Sequence, residues 1–341
     1  MNHLNASPPS KEASIPLALN ESLNFVTFVT AGNCVICLLI LLTFVGDVAV
    51  YAAFYLNRNL RTRTNALFLS LVTSDILLAL FVLPFEVVRL SHYPHWPLGE
   101  TTCNIWNSVF VALGSASVCH LCAINIDRFL AISRPLRYCN DISAGVLASI
   151  AFLWSFAFLS GLGSYFIWTQ QNPLECAELS APLTRSVPLL VFNLLVPFVI
   201  CLLTYAKIFH ISRQQAKRIV ATCRWIERRN NSLSVQRKSA KTLGVLVGVF
   251  TFTYFPFLVF HALDGAFNEK LPNRFYFGSV VKWLTFGSSA INWALYGCLN
   301  KEYRGALCRI FNFLGCKACR GETNQINNIR EAFTISWMYE K

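Results

Sequence analysis

The chemistry this chain can offer rests on acidic residues set in apolar surroundings. Asp47 follows Leu41-Leu42-Thr43-Phe44-Val45-Gly46, Asp75 precedes Ile76-Leu77-Leu78-Ala79-Leu80-Phe81, and Asp127-Arg128 closes a long run of small and apolar residues. A carboxylate in such a stretch needs a counter-charge, several hydrogen-bond donors, a proton or a bound cation. The chemistry on offer is therefore charge pairing and cation binding. Catalysis is not indicated, because no nucleophile–base motif, phosphate loop or zinc-spaced ligand set appears. The chain is not read as an enzyme.

The elements that must position these acids follow from composition. Of 341 residues, 55% are hydrophobic and only 13% charged, against about 25% charged in an ordinary soluble domain. Apolar runs fall at residues 25–54, 65–90, 103–132, 144–168, 184–209, 241–265 and 277–299. Each is long enough for a membrane helix, which needs about 20 residues, and helices satisfy their own backbone in lipid. The expected fold is an all-α membrane protein, a bundle of seven transmembrane helices (spans 1–7). The predicted organisation is an extracellular segment 1–24, a receptor-like bundle 25–299, an amphipathic interfacial helix 300–315 and a flexible cytoplasmic tail 316–341.

A formal charge of +12 could point to nucleic acid, but its distribution argues against it. The connectors on one side, with the tail, carry 22 basic and 6 acidic residues; the other side carries 6 and 8. The positive-inside rule makes the first side cytoplasmic and the N-terminus extracellular. On that side Asn5 and Asn20 stand in glycosylation sequons, whereas the sequon at Asn230 faces the cytoplasm. Of thirteen cysteines, only Cys103 and Cys176 lie clearly outside the membrane on the oxidising side. A disulfide between them would pin span 3 to the loop between spans 4 and 5. Arg128 lies 25 residues beyond Cys103, about 37 Å along a helix, which puts it at the opposite face. Pro84, Pro197 and Pro256 interrupt spans 2, 5 and 6 and favour kinks there.

From about residue 25 to residue 315 these features resemble the rhodopsin-like G-protein-coupled receptors. The likeness rests on Asn65-Ala66-Leu67 leading to Asp75, Trp96-Pro97-Leu98-Gly99 before Cys103, and Asp127-Arg128-Phe129 followed by Ala131–Tyr138. Trp154, Pro197 with Tyr205, Phe250 with Pro256, and Asn292 with Tyr296 continue it in order. Asn104-Ile105-Trp106 and Ala240–Gly244 are similar to biogenic-amine and trace-amine receptors. The resemblance implies a plasma-membrane receptor that passes a small-molecule stimulus to a heterotrimeric G protein, Gs by the trace-amine likeness. Arg128 would pair with Asp127 at rest, then swing toward Tyr205 and Tyr296 as span 6 moves outward. Asp75, Ser117, Ser288 and Asn292 match the family's sodium pocket, with a hydrated hydrogen-bond network as the alternative. Membrane lipids and a second receptor in a dimer are further partners on this view.

Several residues depart from the family pattern. Phe110 stands where amine receptors carry the Asp that pairs with the ligand ammonium. Tyr254 replaces the span 6 Trp, and Trp293 replaces the proline of the span 7 motif Asn292-Trp293-Ala294-Leu295-Tyr296. Asp47 stands where the family has Asn, so with Asp75 nearby it is expected to hold a proton and act like Asn. The expected ligand pocket is Phe110, Asn193, Tyr254, Phe257, Trp283 and Phe286, either open to a small apolar molecule or filled by its own rings, which would leave the receptor self-active or silent. Glu86 and Asp264 could hold a cation, but the favoured reading is solvated surface charge. Tyr303, Leu307, Ile310, Phe311 and Leu314 recur at helical spacing and suit a helix in the membrane interface, with Cys316 and Cys319 placed for palmitoylation. A non-signalling decoy or trafficking partner is the alternative function.

Overall fold

The computed structural model describes residues 11–133, 138, 143–168, 176, 187–188, 190–222, 227–266, 273–299 and 301–313. Among them every regular element is a helix. Six stretches are long and apolar enough to cross a bilayer: Ser22–Leu56, Arg63–His92, Glu100–Ser133, Ala144–Phe166, Val191–Ile211 and Val247–Asp264. Span 7 is the 26-residue helix Arg274–Leu299, which is more polar. Its Lys282, Thr285, Ser289 and Asn292 are all buried. Their spacing of three and four residues puts them on one helical face, and that face turns into the bundle. The outward faces of the spans instead carry exposed apolar rings such as Phe152, Phe158 and Phe252.

Two of the prolines act where the sequence places them. Span 2 divides at Val82 into helices Arg63–Phe81 and Leu83–His92, with Pro84 in the first turn of the second. A proline is tolerated there because first-turn N–H groups have no helical partner. The Val82 carbonyl at the break accepts the Trp106 indole N–H at 3.1 Å, tying span 3 to the kink. In span 5 a π-helical turn, Val191–Leu195, precedes Pro197 in the helix Val196–Thr222. Pro256 lies inside the helix Glu227–Ala266.

One polar contact at the centre of the bundle joins several spans. The Ser70 hydroxyl of span 2 accepts the Trp154 indole N–H from span 4 at 2.9 Å and meets His120 Nε2 of span 3 at 2.8 Å. His120 is wholly buried, and its Nδ1 lies 2.7 Å from the Ala116 carbonyl. One hydroxyl thus joins three spans.

The ends differ from expectation in two ways. The helix of span 1 begins at Lys11, upstream of residue 25, so Asn20 lies within it, while Asn5 falls outside the described residues. The helix Lys301–Phe313 does not give its whole apolar face to the membrane interface. Tyr303 is wholly buried and Leu307 nearly so, both packed into the bundle core, and Arg309 donates to the Asn57 side chain at 3.0 Å. Burying a Tyr and a Leu against protein fixes the helix without lipid. Leu314, Cys316 and Cys319 lie outside the described residues.

Ser70→Ala strips His120 and Trp154 of their shared partner. It should cost about 1–3 kcal/mol, read as a lower Tm of the detergent-solubilised receptor. An unchanged Tm would show that this hydroxyl does not bind the three spans together.

Candidate functional site

The bundle holds four groups of functional side chains, one below another, starting from the disulfide. Cys103 at the start of span 3 is bonded to Cys176, with Cα atoms 5.7 Å apart. Beside it lie two charge clusters. Glu86 is wholly buried, with Arg89 Nη2 at 2.6 Å and Lys282 Nζ of span 7 at 2.7 Å. Arg89 also donates to Ser279 at 3.2 Å. Asp264 of span 6 is buried against Arg274 Nε at 2.8 Å. The reading of Glu86 and Asp264 as solvated charges is therefore corrected. Both are desolvated, and each ends up against the basic side chains of the same helix turn or of span 7. Arg89 was in reach of a sequence argument, since it stands three residues after Glu86 on the same helix. Lys282, 196 residues away, carried no such signal.

Lys282 closes the top of the aromatic pocket. Its ammonium lies 4.4 Å from the Trp106 ring centroid and 5.2 Å from that of Phe110. Below it, Phe110, Asn193, Tyr254 and Phe257 line a cavity of about 70 Å³. Phe110 meets Phe257 and Phe286 edge-on, with centroids 6.1 and 5.7 Å apart. Phe286 packs behind this cavity instead of lining it. Trp283 is not brought to the cavity at all. It stacks on Phe28 of span 1 at 5.2 Å and fills the space that a Cβ at Gly32 would occupy. The one-residue offset from Lys282 turns its side chain about 100° away around the helix. The rings thus fill most of the expected pocket.

The third group centres on Asp75, which is wholly buried. Its carboxylate accepts from Ser289 at 2.7 Å, Asn292 at 2.9 Å and Ser117 at 3.3 Å. Ser288, expected here, instead donates to the Thr285 carbonyl at 2.7 Å, beside the Tyr254 hydroxyl. Its neighbour Ser289 takes the position on Asp75. Asp47 is wholly buried within electrostatic reach of Asp75. Neither of its carboxyl oxygens has a hydrogen-bond partner among the described residues, so the Asn-like bonding expected of it is not seen. The Trp293 indole lies flat on Gly46, in space that any Cβ there would need. A bulky ring therefore stands where the family pattern has proline, and it locks span 7 to span 1 by packing.

At the far end Asp127 is buried and pairs with Arg63 Nε at 2.8 Å. It also accepts from Thr64 and from Tyr138, the latter at 2.9 Å. Arg128, expected as its partner, is not within ion-pair distance of it among the described residues. Adjacent residues on a helix point in different directions, and the carboxylate faces the start of span 2. Tyr296 stacks on Phe68 with centroids 3.4 Å apart. The Tyr205 hydroxyl fills the space beside Gly244 of span 6.

A disulfide-pinned third span, an acid hub on span 2 and a buried Asp127–Arg63 pair at the far end give the bundle the architecture of a multi-pass membrane receptor. The family model for the 7 transmembrane receptor (rhodopsin family) matches residues 46–296. Similar relatives include the Histamine H2 receptor of Canis lupus familiaris, 34% identical over 287 residues, 81% of this chain and 78% of the relative. Trace amine-associated receptor 365 of Petromyzon marinus is 28% identical, over 80% of this chain and 77% of that one. The Alpha-1A adrenergic receptor of Cavia porcellus is 26% identical, over 89% and 71%. The chain belongs to the rhodopsin family of seven-transmembrane receptors.

Glu86→Gln leaves Arg89 and Lys282 buried together without their carboxylate. It should destabilise the receptor by about 3–5 kcal/mol, and Glu86→Gln/Lys282→Gln should recover part of that loss. Thermal denaturation of the two variants side by side checks this; equal losses would dissolve the coupling between the two positions.

Proposed function

We propose that this receptor carries an extracellular small-molecule stimulus to a heterotrimeric G protein, with its N-terminus outside and its basic connectors in the cytoplasm. The observation that carries the reading is the Asp127 end. There Arg63, Thr64 and Tyr138 occupy the carboxylate, while Arg128, half-buried, is not engaged with it. An arginine not engaged by its neighbouring acid needs less work to reach a G-protein helix, so activity without ligand follows. The basic excess on that side suits an acidic or polar partner surface. Gs is the class to assay first, on the strength of the amine-receptor resemblance. In this reading Asn5 and Asn20 carry glycans, and Cys316 and Cys319 carry palmitate.

Asp75 adds an ion to the proposal. A carboxylate flanked by the Ser117 and Ser289 hydroxyls fits a hard monovalent cation such as sodium. Asn292 presents its amide N–H₂ to Asp75 and serves to orient the carboxylate. Sodium bound there would draw spans 2, 3 and 7 together and favour the resting arrangement.

Ligand-free G-protein activation in cells, compared between wild type and Arg128→Ala at matched surface expression, tests the main reading. Wild type should signal above untransfected cells and Arg128→Ala should return to their level. Silence of the wild type across all Gα classes would remove activity without ligand from the reading and leave a strictly ligand-dependent receptor or the decoy or trafficking function. For the ion, sodium chloride should raise the Tm of the wild type over choline chloride at equal ionic strength, and Asp75→Asn should lose that difference. An equal response of both proteins would remove sodium from the site.

A further inference from the structure

The start of span 2 holds a cation in a place that its own helix disfavours. Arg63 is the first residue of the helix Arg63–Phe81, and no acidic residue stands in that first turn. The positive end of the helix dipole repels a guanidinium there. Thr62 nevertheless fixes the helix start, its hydroxyl accepting the Asn65 backbone N–H at 3.4 Å. The compensating charge comes from span 3, where Asp127, 2% exposed, stands 2.8 Å from Arg63 Nε. The two carboxylate oxygens divide the work. Oδ1 faces Arg63, while Oδ2 accepts from the Thr64 hydroxyl and, at 2.9 Å, from the Tyr138 hydroxyl. The Arg63 guanidinium also stands over the Tyr138 ring, 5.9 Å from its centroid. Arg128, the next residue after Asp127, finds both oxygens taken.

We propose that Arg63 is a positioning residue for this end of the bundle: it serves as the counter-ion of Asp127 in place of Arg128 and so keeps Arg128 available to a G protein. The proposal rests on the reading of the chain as a transducer that is active without ligand. A buried carboxylate without a paired cation is costly, so one of the two arginines has to face Asp127. Pairing with Arg63 answers two deficits at once, the buried charge of Asp127 and the uncompensated first turn of span 2. Pairing with Arg128 would answer only the first. The contact runs through Nε alone and not through a two-pronged fork, so it asks for a cation within reach more than for a guanidinium. The Arg63 side chain is 30% exposed, and shortening it opens no cavity in the core.

A double-mutant cycle on the purified full-length receptor reads the exchange of counter-ions directly. Arg128→Ala should lower the Tm by a few degrees more in the Arg63→Gln background than in the wild type, because only there does Arg128 hold Asp127. An equal loss in both backgrounds would overturn the proposal, whether or not the receptor signals. In cells at matched surface expression, Arg63→Gln should cut ligand-free G-protein activation by about threefold or more. Arg63→Lys, which keeps a cation within reach, should recover most of that loss. Arg63→Gln/Asp127→Asn should signal at the wild-type level or above, since no carboxylate is left to hold Arg128. A double variant as low as Arg63→Gln would mean that Arg63 itself touches the G protein, and that too would overturn the proposal. A silent wild type that shows the coupling in Tm would sustain this inference while sinking activity without ligand.

Discussion

Asp75 sits at the centre of the bundle with no exposure, and donors from spans 3 and 7 converge on its carboxylate. The constraint behind this arrangement is general: hydrocarbon offers no hydrogen bonds, so a polar group taken into it is costly until protein groups satisfy it. Span 7 illustrates the result. It is the most polar of the crossing helices because it supplies Ser289 and Asn292 to Asp75 and Lys282 to Glu86. Its fold follows from its partners as much as from its own hydrophobicity. The Ser70 hydroxyl meets the same requirement on a smaller scale, serving an indole and an imidazole at once.

Charge placement separates this receptor from the amine receptors it resembles. Exchanging the acid in span 3 for Phe110 would by itself only weaken amine binding. Lys282, paired with Glu86, adds an ammonium of the protein's own 5.2 Å from the centre of that ring. The Phe110 pocket is narrowed by its own rings at the same time, to about 70 Å³.

Much of this was legible in the residues. The helical bundle followed from the length of the apolar runs and the break in span 2 from Pro84, whereas the span limits did not, since the span 1 helix begins at Lys11 and span 7 is too polar to stand out. The meeting of Asp75 with Asn292 followed from family spacing. What was not legible depends on rotation and on distant partners. Ser289 and not Ser288 reaches Asp75, and Trp283 faces span 1, because one residue turns a helix by about 100°. Glu86 looked like a rim charge because burial of a side chain is decided by elements far away in sequence. The partner of Asp127 is hidden for the same reason, since Arg63 belongs to the start of another span.

Trp293 resting on Gly46 joins two positions 247 residues apart into one heritable unit. A lineage that traded the indole for proline would open space at position 46 and give up the packing between spans 1 and 7. A lineage that first gained a side chain at position 46 would have to shift the Trp293 ring from its place. The order of substitution is therefore constrained: a side chain at position 46 needs space that a smaller residue at position 293 must first leave. Descendants of this receptor should record that sequence of events.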